Sequence, residues 1–373
     1  MSITPHDERF MAAAIRLSRW HLGRTATNPS VGCLIVKDDV IVGRAVTALS
    51  GRPHAETQAL AEAGALARGA TAYVTLEPCS HHGKTPPCAE ALIADGVARV
   101  VIGVTDPDPR VSGRGIAILR EAGIEVDAGV LEAEGRQSLA AYLTRQTKNR
   151  PYVTLKLAVS ADGMIGRQGA GQVAITGPEA RAQVQALRAE TDAILVGIGT
   201  AIADDPLLTV RSPGLESQSP IRIVLDPSLA LPLTSKLVGT AREVPVIVVA
   251  SEEGSLSQIE GDIASTEMDS RREALEAAGV EVVHCNPYHP EVLLSALATR
   301  GISSLLVEGG AKTARLFLEA GLVDRIQLYQ APVVIGEGGI ESPLDATDIP
   351  SGFAHTGTLM FGGDRLDEYE RGL

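Results

Sequence analysis

Aromatic side chains make up 3% of the 373 residues, with a single Trp. The cores must therefore be built from Ala, Val, Leu and Ile, and stacking of bases on aromatic platforms is disfavoured as a binding mode. Four cysteines, Cys33, Cys79, Cys88 and Cys285, are too few for a disulfide scaffold at this length. No apolar run approaches the ~20 residues that span a bilayer. The first twenty residues lack the basic-then-apolar order of a secretory signal and carry Asp7 and Glu8 early. A cytoplasmic, reducing location is expected, with no membrane partner. Positive charge is also short: 33 Lys and Arg against 46 Asp and Glu give a formal net charge of −13. That sign argues against nucleic acid as the partner, because phosphate neutralisation needs a basic face. A local basic pocket for a small phosphate is compatible with it.

What is present divides in two. From residue 6 the chain alternates helical and strand patterns: a helix over 6–22, a hairpin at 31–36 and 40–43, a helix over 54–67, and a strand at 72–76. A helix at 88–95, a strand at 99–104 and a further helix–strand pair complete the first half. Arg150-Pro151 ends the preceding helix and Tyr152–Val159 restarts the alternation. Strands are expected at 193–197, 221–226, 244–250, 280–283 and 304–309, with helices at 178–189, 270–278, 290–299 and 312–320. Both halves read as α/β, with 1–147 and 148–373 as the expected domains.

The first half carries a metal-ligand pattern. His54-Ala55-Glu56 opens one helix, and Cys79 and Cys88 flank the start of another. One imidazole and two thiolates suit zinc and leave a fourth tetrahedral position for water, whose pKa falls to about 7 on the metal. Glu56, two residues from the ligand, leaves the backbone in another direction and is placed to shuttle protons. A structural zinc would need a fourth protein ligand, and His81 or His82 could supply one. Cys33 and Cys285 sit in strand-like runs without partners and read as small buried hydrophobes.

Asn28-Pro29-Ser30-Val31-Gly32, Pro53-His54-Ala55-Glu56 and LEPCSHHGKTPPC (76–88) together resemble the deaminase half of the bifunctional riboflavin-biosynthesis deaminase/reductase family. The resemblance implies a cytidine-deaminase-like three-layer domain, with zinc on His54, Cys79 and Cys88 and Glu56 as acid and base. It further implies substrate contacts from Asn28, His81, Lys84 and Asp106. Two positions depart from the commonest family pattern: Thr47 stands where a His is usual, and Asp108 replaces a common Asn.

In the second half, Lys156 lies in an otherwise apolar strand, where an ammonium needs a cleft or a carboxylate; Glu308 is the candidate carboxylate. ITGPEARAQVQALR (175–188), ILVGIGTAIADD (194–205) and LLVEGGAKTARLFL (305–318) resemble the reductase half of the same family, a fold similar to dihydrofolate reductase. The resemblance implies NADPH contacts from Ala158, Thr200, Asp204, Gly310, Ala311, Lys312, Thr313, Ala314, Arg315 and Leu316. It implies substrate contacts from Arg188, Leu208, Arg211 and Glu308. Arg188 and Arg211 offer planar forks to a phosphate. Ala174 and Pro227 depart from residues that commonly touch the cofactor.

The expected function is zinc-dependent deamination of a diaminopyrimidinone ribosyl phosphate, then NADPH reduction of the ribosyl to a ribityl chain. The long apolar C-terminal strands suit a homo-oligomeric interface. Two other readings stand beside this one. A nucleic-acid deaminase shares the zinc logic but needs a basic strand-tracking groove, and a binding module with structural zinc needs no turnover.

Overall fold

Val- and Ile-rich runs bounded by turns form two separate sheets in a computed structural model of the chain, which describes residues 3–80, 86–108, 111–251 and 263–372. The chain divides after Asn149 into two compact units. Asn149 adopts the left-handed conformation (φ 50°) and its N–H closes the last turn of a helix on the Arg145 carbonyl. Arg150-Pro151 then cannot continue that helix.

In the first unit, strands β1 (Gly32–Lys37), β2 (Val40–Val46), β3 (Thr71–Leu76), β4 (Arg99–Val104) and β5 (Glu125–Ala128) lie in the order β2-β1-β3-β4-β5. β1 pairs antiparallel with β2 and β3, whereas β3, β4 and β5 run parallel. Helices α2 (Ala55–Ala63), α3 (Cys88–Ala94) and α4 (Arg114–Glu121) bury Ala59, Leu60, Leu92 and Leu119 on one face. Helix α1 (Pro5–Ser18) buries Met11, Ala14 and Ile15 on the other. Helices α5 (Glu132–Ser138) and α6 (Ala140–Lys148) follow β5. The result is helix, sheet, helix: three layers.

A buried ionic knot fixes α1. Thr4 and Asp7 form a reciprocal capping box. The Asp7 carboxylate also accepts from Tyr73 Oη at 2.9 Å and Arg99 Nη1 at 2.7 Å, and Arg99 reaches Asp127 at 2.6 Å. These donors hold the Asp7 carboxyl well below the usual carboxylate range against the cost of burial.

The second unit contains β6 (Tyr152–Val159), β7 (Met164–Arg167), β8 (Ala193–Gly197), β9 (Ile221–Leu225), β10 (Val246–Ala250), β11 (Glu281–His284) and β12 (Ser304–Val307). β13 (Arg325–Gln330), β14 (Gly339–Glu341), β15 (Phe353–Phe361) and β16 (Asp364–Arg371) complete it. The described residues form a nine-stranded sheet, β11-β10-β9-β8-β12-β6-β13-β16-β15, and a β14-β7 ribbon. The seven strands from β11 to β13 run parallel and the last two antiparallel. Helices α7 (Pro178–Ala189), α8 (Ile198–Asp204), α9 (Lys236–Gly239), α10 (Ile263–Ala277), α11 (Pro290–Thr299) and α12 (Ala311–Glu319) connect strands, as parallel pairing requires. β12 inserts between β6 and β8, so the strand order reverses there. In open α/β sheets the crevice at the carboxyl ends of such strands is where ligands bind.

Helix α10 begins earlier than 270–278, the range that the apolar periodicity indicates. The C-terminal strands, too, are outlined only in part by sequence pattern; β15 is exposed except at the half-buried Phe353, Gly357 and Phe361 and has no buried face. Cys33 and Cys285 are buried in the two cores, as small hydrophobes would be. No helix among the described residues is long and apolar enough to cross a membrane.

Candidate active sites

His54 is the N-cap of α2, in extended conformation (φ −69°, ψ 161°), so its ring projects off the helix end. Cys79 lies on the strap after β3. Cys88 is the first residue of α3, following the extended Pro87. The Cys88 N–H donates to Cys79 Sγ at 3.3 Å, and the Ala89 N–H donates to the Cys79 carbonyl at 3.2 Å. These bonds fold the strap back over the helix start. His54 Nδ1 then lies 3.6 Å from Cys79 Sγ and 3.3 Å from Cys88 Sγ.

The donor set fits zinc. Bond lengths of about 2.0 Å to nitrogen and 2.3 Å to sulfur make a tetrahedral N···S edge of about 3.5 Å. All three ligand atoms lie within 4.8 Å of one another. No fourth His, Cys, Asp or Glu joins the group among the described residues. Cys79 is pulled down to about 4, chiefly by the hydrogen bond from Cys88, while Cys88 is pushed up by the same bond and by burial.

Glu56, in the first turn of α2, is buried beside the trio. Burial raises its carboxyl to about 7; the neighbouring His54 opposes the shift and Cys79 adds to it. A carboxyl poised near neutrality can both take and return a proton. Next along the strap, the Glu77 carboxylate accepts from four backbone N–H groups: Asp106 (3.3 Å), Gly113 (3.0 Å), Gly115 (3.0 Å) and Ile116 (3.3 Å). A Cβ on Gly115 would stand 2.1 Å from the Pro78 carbonyl oxygen, so only glycine allows this approach. Glu77 thereby ties the Cys79 strap to Asp106. Asp106 accepts from Tyr142 Oη at 3.1 Å and from the Asp108 N–H at 2.9 Å, and burial raises its carboxyl.

One cavity of about 500 Å³ is bordered by Asn28, Arg52, His54, Glu56, Asp106 and Arg145, together with Cys79 and Asp108. Thr47 also borders it, but its hydroxyl is occupied as acceptor for the Val31 N–H (2.9 Å) and its carbonyl meets His21 Nδ1 at 2.6 Å. Thr47 therefore serves the wall of the cavity. His81 and Lys84, and His82 with them, lie outside the described residues.

In the second unit the ends of β6, β8 and β12 bring Ala158, Thr200, Glu308 and Gly310 to one region of the sheet. The Gly310 N–H donates to Thr200 Oγ1 at 3.0 Å. A Cβ on Gly197 would meet Thr313 Oγ1 at 2.4 Å, and one on Gly309 would meet Thr313 Cβ at 2.6 Å, so the two strand–glycine–helix junctions interlock. The Thr313 and Ala314 side chains are buried, which leaves the backbone of the Gly310–Lys312 turn as the part of α12 suited to meet an anion.

Arg188 holds Glu308 in a two-pronged ion pair, with Nε–Oε1 at 2.8 Å and Nη2–Oε2 at 3.0 Å. The fork expected to clamp a phosphate is thus turned onto a carboxylate, and Arg188 Nη1 goes to the Thr209 carbonyl (3.3 Å). Lys156 Nζ stands 5.5 Å from the centroid of the Tyr329 ring. Burial pulls its ammonium down, and Glu308 opposes that shift. A smaller cavity of about 270 Å³ is bordered by Arg188, Asp204, Leu208, Arg211 and Lys236. Leu208 is buried in left-handed backbone (φ 55°), and the buried Arg222 donates to the preceding Leu207 carbonyl at 3.0 Å.

With this geometry established, comparison with known proteins is direct. Residues 4–104 match the cytidine and deoxycytidylate deaminase zinc-binding region, and 151–361 match the RibD C-terminal domain. The riboflavin biosynthesis protein RibD of Aquifex aeolicus is 42% identical over 332 residues, 89% of this chain and 88% of the relative. The chain belongs to the RibD family. The RibD of Escherichia coli is likewise 42% identical, over 88% of this chain and 89% of its own. An Acinetobacter baumannii RibD structure superposes with a TM-score of 0.84 at 36% identity, covering 99% of each chain. A Thermotoga maritima diaminohydroxyphosphoribosylaminopyrimidine deaminase/5-amino-6-(5-phosphoribosylamino)uracil reductase gives 0.84 at 34% identity, over 98% of this chain and 99% of that one.

This RibD chain is therefore a deaminase with a zinc-binding site fused to a reductase, an enzyme of riboflavin biosynthesis, and its two α/β folds are those of the RibD structures. Sequence reasoning passed over Arg52, Arg145 and Lys236 as cavity residues. The first two are far apart in sequence and come to border one cavity only in the fold. Lys236 has a local sign, the Ser235 cap that starts α9 at the cavity edge. Tyr142, the donor to Asp106, was equally invisible, 36 residues away.

Proposed function

We propose that the first unit hydrolyses the 2-amino group of 2,5-diamino-6-ribosylamino-4(3H)-pyrimidinone 5′-phosphate to a carbonyl, releasing ammonia. The second unit then reduces the ribosyl group of the product to a ribityl chain with NADPH. His54, Cys79 and Cys88 hold zinc, which when bound supplies a water acidic enough to act at neutral pH. Glu56 takes a proton at its carboxylate and returns it to the substrate and the departing amine. Asn28 and Asp106 orient the pyrimidinone, and the resemblance assigns His81 and Lys84 to the same substrate.

In the second unit NADPH supplies the hydride. Ala158, Thr200, Asp204 and Gly310 to Leu316 seat the cofactor, and Lys156, Arg188, Leu208, Arg211 and Glu308 face the substrate. Burial pulls the Lys156 ammonium down and Glu308 opposes that shift; in its protonated form Lys156 can donate a proton at the oxygen released as the ribose ring opens. The free thiols that the zinc site requires fit a reducing cytoplasm. Edge strand β15 exposes Leu359 and Met360, and a second copy pairing there would make the homo-oligomer.

The observation that carries this reading is the Glu56 carboxyl buried against three donors set at zinc spacing. Stripping zinc with a chelator should stop ammonia release from the diamino substrate. NADPH oxidation should continue when the deaminated intermediate is supplied directly. Ammonia release that persists in the stripped protein would refute the assignment.

A further inference from the structure

The deaminase cavity is bordered by ionisable groups of both signs. Together with His54 and Cys79, its lining includes the carboxyl groups of Glu56, Glu77, Asp106 and Asp108. The same cavity is bordered by two half-buried guanidinium groups, Arg52 in the loop before α2 and Arg145 in the last turn of α6. Arg145 donates from Nη2 to the Thr27 carbonyl, next to Asn28, which fixes its fork at the cavity wall. Helix α6 lies outside residues 4–104, the part matched by the zinc-binding region, so Arg145 adds to the cavity something the zinc fold itself does not contain.

We propose that Arg52 and Arg145 form the anion subsite of the deaminase, taking the 5′-phosphate of the substrate and making the reaction specific for a phosphomonoester. This rests on the functional reading above and names what selects its substrate. The physical case is one of sorting. A phosphomonoester dianion is repelled by carboxylates and attracted to guanidinium forks that match its oxygens two at a time. In a chain of net charge −13, with four carboxyl groups bordering the cavity, Arg52 and Arg145 are the guanidinium groups through which it can hold an anion. With the phosphate held by the arginines, the pyrimidinone is left to Glu56 and the zinc donors.

The test is calorimetric binding of the phosphorylated substrate and of its dephosphorylated nucleoside to the zinc-loaded full chain, with ammonia release measured in parallel. Each charge-assisted contact is worth roughly 10- to 100-fold in affinity. Arg145→Met and Arg52→Met should each weaken binding of the phosphorylated compound by about that factor, with the change in KM rather than kcat, and Arg145→Lys should recover part of it. Affinity for the nucleoside should change by less than about threefold. Inorganic phosphate should compete with the substrate in the parent protein and lose that competition in the double variant.

Equal losses for both compounds would mark the arginines as structural and overturn the proposal. So would unchanged affinities, or full retention by Arg145→Met of the preference for phosphate. The binding ratio does not depend on turnover. A parent protein that binds the phosphorylated compound selectively but releases no ammonia would therefore refute the deaminase reading while upholding the subsite.

Discussion

Glu56→Gln should lower kcat/KM for deamination by about 10³-fold or more, with one zinc still bound per chain and NADPH oxidation unaffected. General acid–base groups contribute about 10² to 10⁴ in rate, and in the proposed mechanism one carboxyl serves both directions of proton movement. The amide matches the carboxyl in shape, so the buried position stays filled. The same substitution should have a second, opposite effect on stability. In the metal-free protein, burial raises the Glu56 carboxyl to about 7 from its ordinary value near 4.5. A raised acid stabilises the fold fully below the unfolded value and loses that contribution as pH rises through 7. Zinc-stripped Glu56→Gln should therefore gain Tm relative to the parent at pH 8, and the gain should vanish at pH 4.5. Deamination that survives at more than a few per cent in a zinc-loaded Glu56→Gln protein would assign the proton transfer elsewhere.

Glu308→Gln should be nearly as damaging in the other unit. The carboxylate accepts both prongs of Arg188 and supports the charge on Lys156. Neutralising it leaves two cations close together in a poorly solvated site, a loss of about 3–5 kcal/mol for a buried pair. Reduction should fall by about 10² or more at neutral pH. The loss should deepen as pH rises, because Lys156 without Glu308 gives up its proton at lower pH than in the parent. The measurement is the pH profile of NADPH oxidation with deaminated substrate. An alkaline limb at the same pH in both proteins would show that Lys156 is not the group whose charge matters.

The parts legible in the sequence are those in which chemistry is written locally. His54 and Glu56 share one helix start, and Cys79 and Cys88 are separated by a single short loop, so the donor set can be read from spacing and type. The break at Arg150-Pro151 is equally local, and the structure places its own division after Asn149. What spacing cannot convey is convergence. Arg188 and Glu308 lie 120 positions apart, and nothing near either one says that a fork suited to phosphate will be taken by a carboxylate. Arg145 reaches the deaminase cavity because α6 packs Tyr142 and Leu143 into the first core. Glu77 illustrates a third limit: its four partners are backbone N–H groups, which no side-chain pattern reveals. The insertion of β12 between β6 and β8 is likewise a matter of long-range pairing, and it is this insertion that brings Glu308 and Gly310 beside Ala158.

The central claim is an open zinc site in which His54, Cys79 and Cys88 are the whole protein contribution. X-ray absorption at the zinc edge of the purified full chain, with metal content measured on the same sample, tests it most directly. The account predicts one zinc per chain with two sulfur neighbours, one imidazole nitrogen and one light, exchangeable oxygen. A second imidazole or a third sulfur in the shell, or a protein that carries no zinc while it releases ammonia, would contradict it.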